Sequence, residues 1–261
     1  MTTMRTLVTL SFLLFGFAIV GAQDISPWSP RTGFALTLAG GVTGGSDENI
    51  GVREAGQLGL EYRMPLAGRF SLVYGTGIQF RRVRATMMEE VPNDVIIGQF
   101  PVNYRESEFY ELPQLEAYAQ LGIGVRAGRL DFGAAILPAW RVNDRIRYRY
   151  FQEFGNPARP ATDVDVVVSS GDEVANYTGF TGTRKLRYSD NFSLQAAFSA
   201  NYNVTGRLAV GLIAQPLLTH YALEQYDYTV CGIVGCGVTS VPLTVFEART
   251  TSWLLRVRYA L

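Results

Sequence analysis

Side chains able to do chemistry are few in this sequence, and they gather in three places. The run RVNDRIRYRY sets Arg141, Arg145, Arg147 and Arg149 at even spacings. A strand has period two, so all four fall on one face. Arginine keeps its charge and offers a planar fork that fits carboxylates and phosphates, which makes that face a candidate anion site. The competing reading is an internal ion-pair network, with Glu106, Glu108, Glu111 and Glu116 on a neighbouring strand as partners. The stretch CGIVGC holds Cys231 and Cys236, with no histidine or further cysteine nearby, so a metal site is not expected there. His220 is the single histidine, either a general base or a residue at a membrane interface or loop base. No catalytic, cofactor-binding or metal-ligating set is expected.

The elements that position these residues begin after an export signal. Arg5 precedes an apolar run over residues 7–20, with a small-residue exit at Val20-Gly21-Ala22. The run falls short of the roughly 20 residues that span a bilayer, so residues 1–22 are expected to be cleaved. Residues 23–261 then form one domain. In an exported chain Cys231 and Cys236 are candidates for a disulfide. Arginine, proline and glycine interrupt every later apolar run, so no transmembrane helix is expected. A membrane location would require a closed β-barrel, the other structure that satisfies its backbone in lipid. Net charge is zero, which gives no reason to expect nucleic-acid binding.

Three segments repeat one pattern: LAGRFSLVYGTGIQF from Leu66, RAGRLDFGAAILPAW from Arg126 and VTGRLAVGLIAQPLL from Val204. Each is a Gly-Arg turn entering an alternating strand, and each follows another alternating strand, which predicts three tight hairpins. Strands at residues 34–40 and 253–261 bring the count to about eight. Ten is the alternative, with β-prone segments at 95–100 and 165–168 forming extra hairpins beyond the barrel. Long polar links fall opposite the short turns, at residues 41–55, 84–108, 151–188 and 224–249. Short turns at one end and long loops at the other predict periplasmic turns and extracellular loops.

The two faces of these strands differ. One carries Leu58, Leu60, Tyr62, Phe70, Leu72, Tyr74, Ile78 and their equivalents. The other carries Gln57, Glu61, Arg63, Gln79, Arg81, Glu116, Gln195, Gln215, Arg256 and Arg258, mixed with glycine. The lumen of about eight strands is only wide enough for side chains to fill, which suits the polar set. Aromatic residues recur about ten positions apart, as in Phe70 and Phe80 or Phe192 and Tyr202. Ten residues at ~3.3 Å, tilted by ~40°, rise about 25 Å, the height of a lipid-facing band. The expected fold is an all-β, closed antiparallel transmembrane barrel with a filled polar lumen.

The segments QLGLEYRMPLAGRFSLVYGTGIQF (57–80) and YELPQLEAY (110–118), with the closing alternation WLLRVRYAL, resemble the outer-membrane barrels of OmpA and OmpX type. The nearest likeness is to the PorT-like barrels of Bacteroidota. The last residue is Leu261, where such proteins commonly have phenylalanine. The resemblance implies an outer-membrane location, contact with lipid and lipopolysaccharide, and assembly by the barrel-insertion machinery. It implies no single activity. The leading expectation is a non-enzymatic barrel whose loops meet an extracellular or envelope protein partner. A transport or secretion component of PorT-like kind is the alternative, and a lipid A-modifying enzyme a third. Deacylases of that third class pair histidine with a serine two residues on, where this chain has Ala222.

Overall fold

The computed structural model describes residues 33–45, 50–66, 69–91, 96–97, 100–101, 104–154, 162–176, 182–226, 228–232, 235–239 and 243–261. The expected signal segment, residues 1–22, lies outside the described residues.

Eight antiparallel strands close on themselves. They are β1 (Gly33–Gly45), β2 (Arg53–Pro65), β3 (Phe70–Val91), β4 (Tyr104–Ala127), β5 (Leu130–Arg141), β6 (Phe192–Asn203), β7 (Leu208–Pro216) and β8 (Thr250–Ala260). Each pairs with its neighbour in sequence, and β8 returns to β1 with Ala35 opposite Ala260 and Gly45 opposite Thr250. Closure leaves no unpaired edge around the wall. Three short turns join β2–β3, β4–β5 and β6–β7. Gly128 makes the second possible, because its φ of +62° lies in the left-handed region that side chains disfavour.

Alternation decides which way each strand faces. Along β8, Trp253, Leu255, Val257 and Tyr259 are exposed, while Ser252, Leu254 and Arg256 are buried. The same inversion holds around the wall, with Leu38, Leu58, Ile78, Ile123, Ile136 and Phe198 all about half exposed. Aromatic rings cluster at two heights of this apolar exterior. Phe34 packs on Tyr62 near the turn end (4.9 Å between ring centres) and Trp140 on Phe192 near the loop end (5.6 Å).

The two central strands run far past this belt, β3 for 22 residues and β4 for 24. Segments read from sequence as long polar links are thus partly folded. The strand Arg145–Phe154 continues the sheet along β4, and Thr162–Ser169 pairs outside it. A second sheet joins Glu173–Asn176, Gly182–Tyr188, Tyr221–Tyr226 and Leu243–Ala248. The two-residue strand Ile50–Gly51 on β3, and small hairpins at Ile96–Ile97 with Phe100–Pro101 and at Tyr228–Gly232 with Gly235–Thr239, complete the described loop end. The barrel itself has eight strands, and the extra β-prone segments lie beyond it.

These extensions enclose their own apolar core: Val83, Tyr110, Leu112, Ile146, Tyr148, Tyr150, Leu186, Tyr188 and Leu223 are nearly or fully buried. The hydroxyls of Tyr110 and Tyr148 both donate to Glu108, at 2.7 and 2.9 Å. A cap of folded β-structure therefore stands on the loop end of the barrel.

Candidate functional site: a cross-braced lumen and its cap

Inward positions of the wall build two charged layers. Near the turn end, Glu61 on β2 accepts from Arg63 at 2.7 Å and from Arg256 on β8, with Arg258 at 3.4 Å. Arg63 also pairs with Asp131 on β5, and Arg258 lies 3.5 Å from the same carboxylate. In a ring of eight strands β5 stands opposite β1, which β2 and β8 flank. These ion pairs therefore cross the lumen. Nearer the loop end, Glu116 on β4 pairs with Arg81 on β3 and accepts from Gln79 (2.8 Å) and from Ser193 on β6 (2.9 Å). Arg81, Glu116, Glu61 and Asp131 are all at most 2 % exposed.

Between the layers the lumen is filled by neutral groups. Gln215 on β7 donates to Gln57 on β2 at 3.0 Å. Tyr118 stretches over paired glycines: a Cβ at Gly59 or at Gly77 would collide with its hydroxyl. Small residues there are what let an aromatic ring cross the interior, and the ring in turn covers the bare backbone. A cavity in the lumen, bordered by Thr37, Gln57, Glu61, Arg63 and Arg256, has a volume of ≈ 20 Å³. That is room for about one water, not for a solute path.

The arginine run divides where the sequence treats it as one face. Arg141 ends β5 on the inward phase, its guanidinium stacked 3.6 Å from the centre of the Tyr188 ring and donating to the Asp190 carbonyl at 2.8 Å. Arg145, Arg147 and Arg149 point out to solvent, and Ile146, Tyr148 and Tyr150 take the inward phase. The reason is a bulge. Five residue steps on β4, from Glu116 to Glu111, oppose six on the other side, from Arg141 to Arg147. One extra residue reverses every later side chain. Asn143 fastens the bulge, accepting from the Leu115 N–H at 2.7 Å and donating to the Pro113 carbonyl at 2.5 Å.

Two of the outward arginines are engaged by acids that the sequence pattern does not pair with them. Arg147 forks onto Asp165 (2.9 and 2.6 Å) and Arg149 onto Asp163 (2.9 and 2.7 Å), all on the solvent face of the cap. Hydrogen bonding from Arg149 and from Arg147 holds the Asp163 and Asp165 carboxyls below the usual aspartate range. Of the acids expected as partners, Glu111 lies 3.6 Å from Arg147 and 3.3 Å from Arg82, Glu116 pairs with Arg81, and Glu108 serves tyrosines. The four arginines thus do not converge on one anion site. Asp163 and Asp165 were legible in principle, as the acidic beats of TDVDVVVS.

His220 is half exposed at the base of the cap, with Nδ1 3.1 Å from Glu247. Cys231 and Cys236 stand directly opposite each other in the backbone register of their hairpin.

No family model matches the chain, and no curated protein matches it. Among solved structures it is similar to Ail, the attachment invasion locus protein of Yersinia pestis in complex with the heparin analogue sucrose octasulfate. The identity is 8%, over 88% of this chain and 100% of Ail, with a TM-score of 0.33. It is similar to Neisserial surface protein A at 8% identity, over 88% and 98%, with a TM-score of 0.33. A third likeness is to the transport unit of the autotransporter AIDA-I from Escherichia coli, at 9% identity over 94% and 97%, with a TM-score of 0.21.

Proposed function

We propose that this chain is an integral outer-membrane barrel that acts through its cap, as a non-enzymatic interaction surface outside the cell, and not as a pore. An apolar exterior with aromatic rings at two heights, wrapped around a polar interior, is the arrangement a bilayer requires of a barrel. The single observation that carries the reading is the pairing of the lumen charges at two levels, across it by Glu61 and Asp131 with Arg63 and Arg256, and between neighbouring strands by Arg81 with Glu116. Lumen charges committed to one another line no channel. Short turns then face the periplasm and the cap faces outward, where lipopolysaccharide surrounds its base and an envelope or extracellular protein is its partner. Residues 1–22 act as the export signal, and the barrel-insertion machinery assembles the mature chain.

Planar-bilayer recording tests this reading. Purified protein is expected to insert without porin-like open steps. Sustained open steps of porin size would overturn it. A place in a secretion system is the second reading, favoured by the folded cap, whose strands and apolar core give a partner a defined surface to dock on.

A further inference from the structure

The turn end carries a feature that the interaction surface at the cap does not explain. Arg69, Arg129 and Arg207 each follow the glycine of one short turn. Each is fixed at the rim in the same way, by its own carbonyl. The Arg69 carbonyl accepts from the Arg126 N–H at 2.9 Å, that of Arg129 from Asn203 at 2.8 Å, and that of Arg207 from Ala260 at 2.7 Å. Three arginines therefore occupy equivalent rim positions, one at every second strand, with the β8–β1 junction as the fourth quarter.

Among the described residues the rim also lacks exposed acids. Apart from Glu61 and Asp131, no aspartate or glutamate occurs in residues 33–45, 59–75, 117–135, 197–214 or 248–261, which include the turn-end half of the wall. Those two, the nearest of the described acids, are buried in the lumen and held by Arg63, Arg256 and Arg258. Arg69 and Arg207 are exposed. Arg129 lies at the level of the lower aromatic ring: it donates to the Tyr202 hydroxyl at 3.1 Å, with its guanidinium 6.0 Å from the ring centre. That is headgroup depth for a barrel whose apolar belt starts at Tyr202 and Phe34. Guanidinium groups bind phosphate with two parallel hydrogen bonds, and an anionic surface attracts each cation placed close to it.

We infer that Arg69, Arg129 and Arg207 form a rim that binds the phosphates of anionic phospholipids in the inner leaflet of the host membrane, fixing the depth and tilt of the barrel. The inference rests on the membrane reading above. Its test uses the full chain in phosphatidylcholine vesicles doped with spin-labelled phosphatidylglycerol or spin-labelled phosphatidylcholine, and reads the motionally restricted lipid at the protein surface. Wild type should favour phosphatidylglycerol by about fivefold or more. Arg69→Gln, Arg129→Gln and Arg207→Gln combined should bring the ratio close to one. Arg147→Gln with Arg149→Gln, at the cap, should leave the preference in place. Arg207→Gln alone keeps its backbone bonds, so it must already lower the ratio even if the triple variant folds poorly.

Restricted lipid without headgroup preference in wild type, or full preference in the triple variant, overturns the inference and leaves the barrel reading intact. Loss of the preference in millimolar inorganic phosphate would reassign the rim to a soluble anion and also overturns it. Absence of restricted lipid of either kind contradicts the membrane reading and the inference together.

Discussion

The carboxylate of Glu116 is sealed against the guanidinium of Arg81 on the adjoining strand, and the same carboxylate accepts from Ser193 two strands away. One side chain thus ties three strands of the wall together at the loop end of the lumen. Removing one member of such a pair takes the paired counter-ion from the other buried charge, a loss of ~3–5 kcal/mol. Glu116→Gln should destabilise the folded barrel by that amount in urea titrations from lipid vesicles. Arg81→Met combined with Glu116→Leu should recover most of it, because a well-packed apolar pair often replaces a buried ion pair without loss. Equal losses in the single and double variants would show that the pair is not a unit.

The outward pairs on the cap behave differently, because water screens them. Arg147–Asp165 and Arg149–Asp163 are each about half exposed, so neither adds more than a small increment to stability. Their pH dependence still has a definite sign. The folded carboxyls lie below their ordinary values, so the contribution is full above the unfolded aspartate range and is lost as pH falls through the folded values. Backbone amide shifts of Val166 and Val167 should stay constant from pH 7 to about 4. They should then move together with a midpoint beneath ~3.9, the ordinary aspartate value. A midpoint at or above that value would contradict the pairing.

Most of the wall was legible because a barrel writes itself in period two. Leu58, Ile78, Phe198 and Leu255 face out and Gln57, Gln79, Gln195 and Arg256 face in, as simple alternation requires. The cap was not legible in the same way. Its strands carry an apolar core on one face only, and the polar face dominates the pattern: in RIRYRY the arginines stand out, while Ile146, Tyr148 and Tyr150, which are fully buried, form the core face. The phase reversal at Val142, Asn143 and Asp144 has no periodic signature. A bulge is a single extra residue, and its effect appears only when two strands are laid in register. The lumen partners were legible as a set but not as pairs, because a barrel's stagger decides which charges meet across it.

Cys231 and Cys236 make a narrower prediction. Directly opposed residues in an antiparallel pair have Cα atoms ~4.5–5.5 Å apart, within the span a disulfide bridges. A bridge here would close a ring of six residues, worth ~2 kcal/mol in the chain-entropy model and confined to one hairpin. Cys231→Ser with Cys236→Ser should therefore leave the heat resistance of the barrel unchanged, while the hairpin becomes easier to cleave. Peptide mass spectrometry without reductant checks the premise, and two alkylatable thiols would refute it.

The central claim is that lipid lies outside this wall and a packed polar interior lies inside. A nitroxide scan of β8 in reconstituted vesicles tests it residue by residue, comparing access by molecular oxygen with access by a water-soluble nickel complex. Labels at Trp253, Leu255, Val257 and Tyr259 should be open to oxygen and closed to nickel, with oxygen access greatest at Leu255 and Val257. Labels at Leu254 and Arg256 should be shielded from both. Strong nickel access at Leu255 and Val257, or oxygen access that fails to alternate along the strand, would contradict the account.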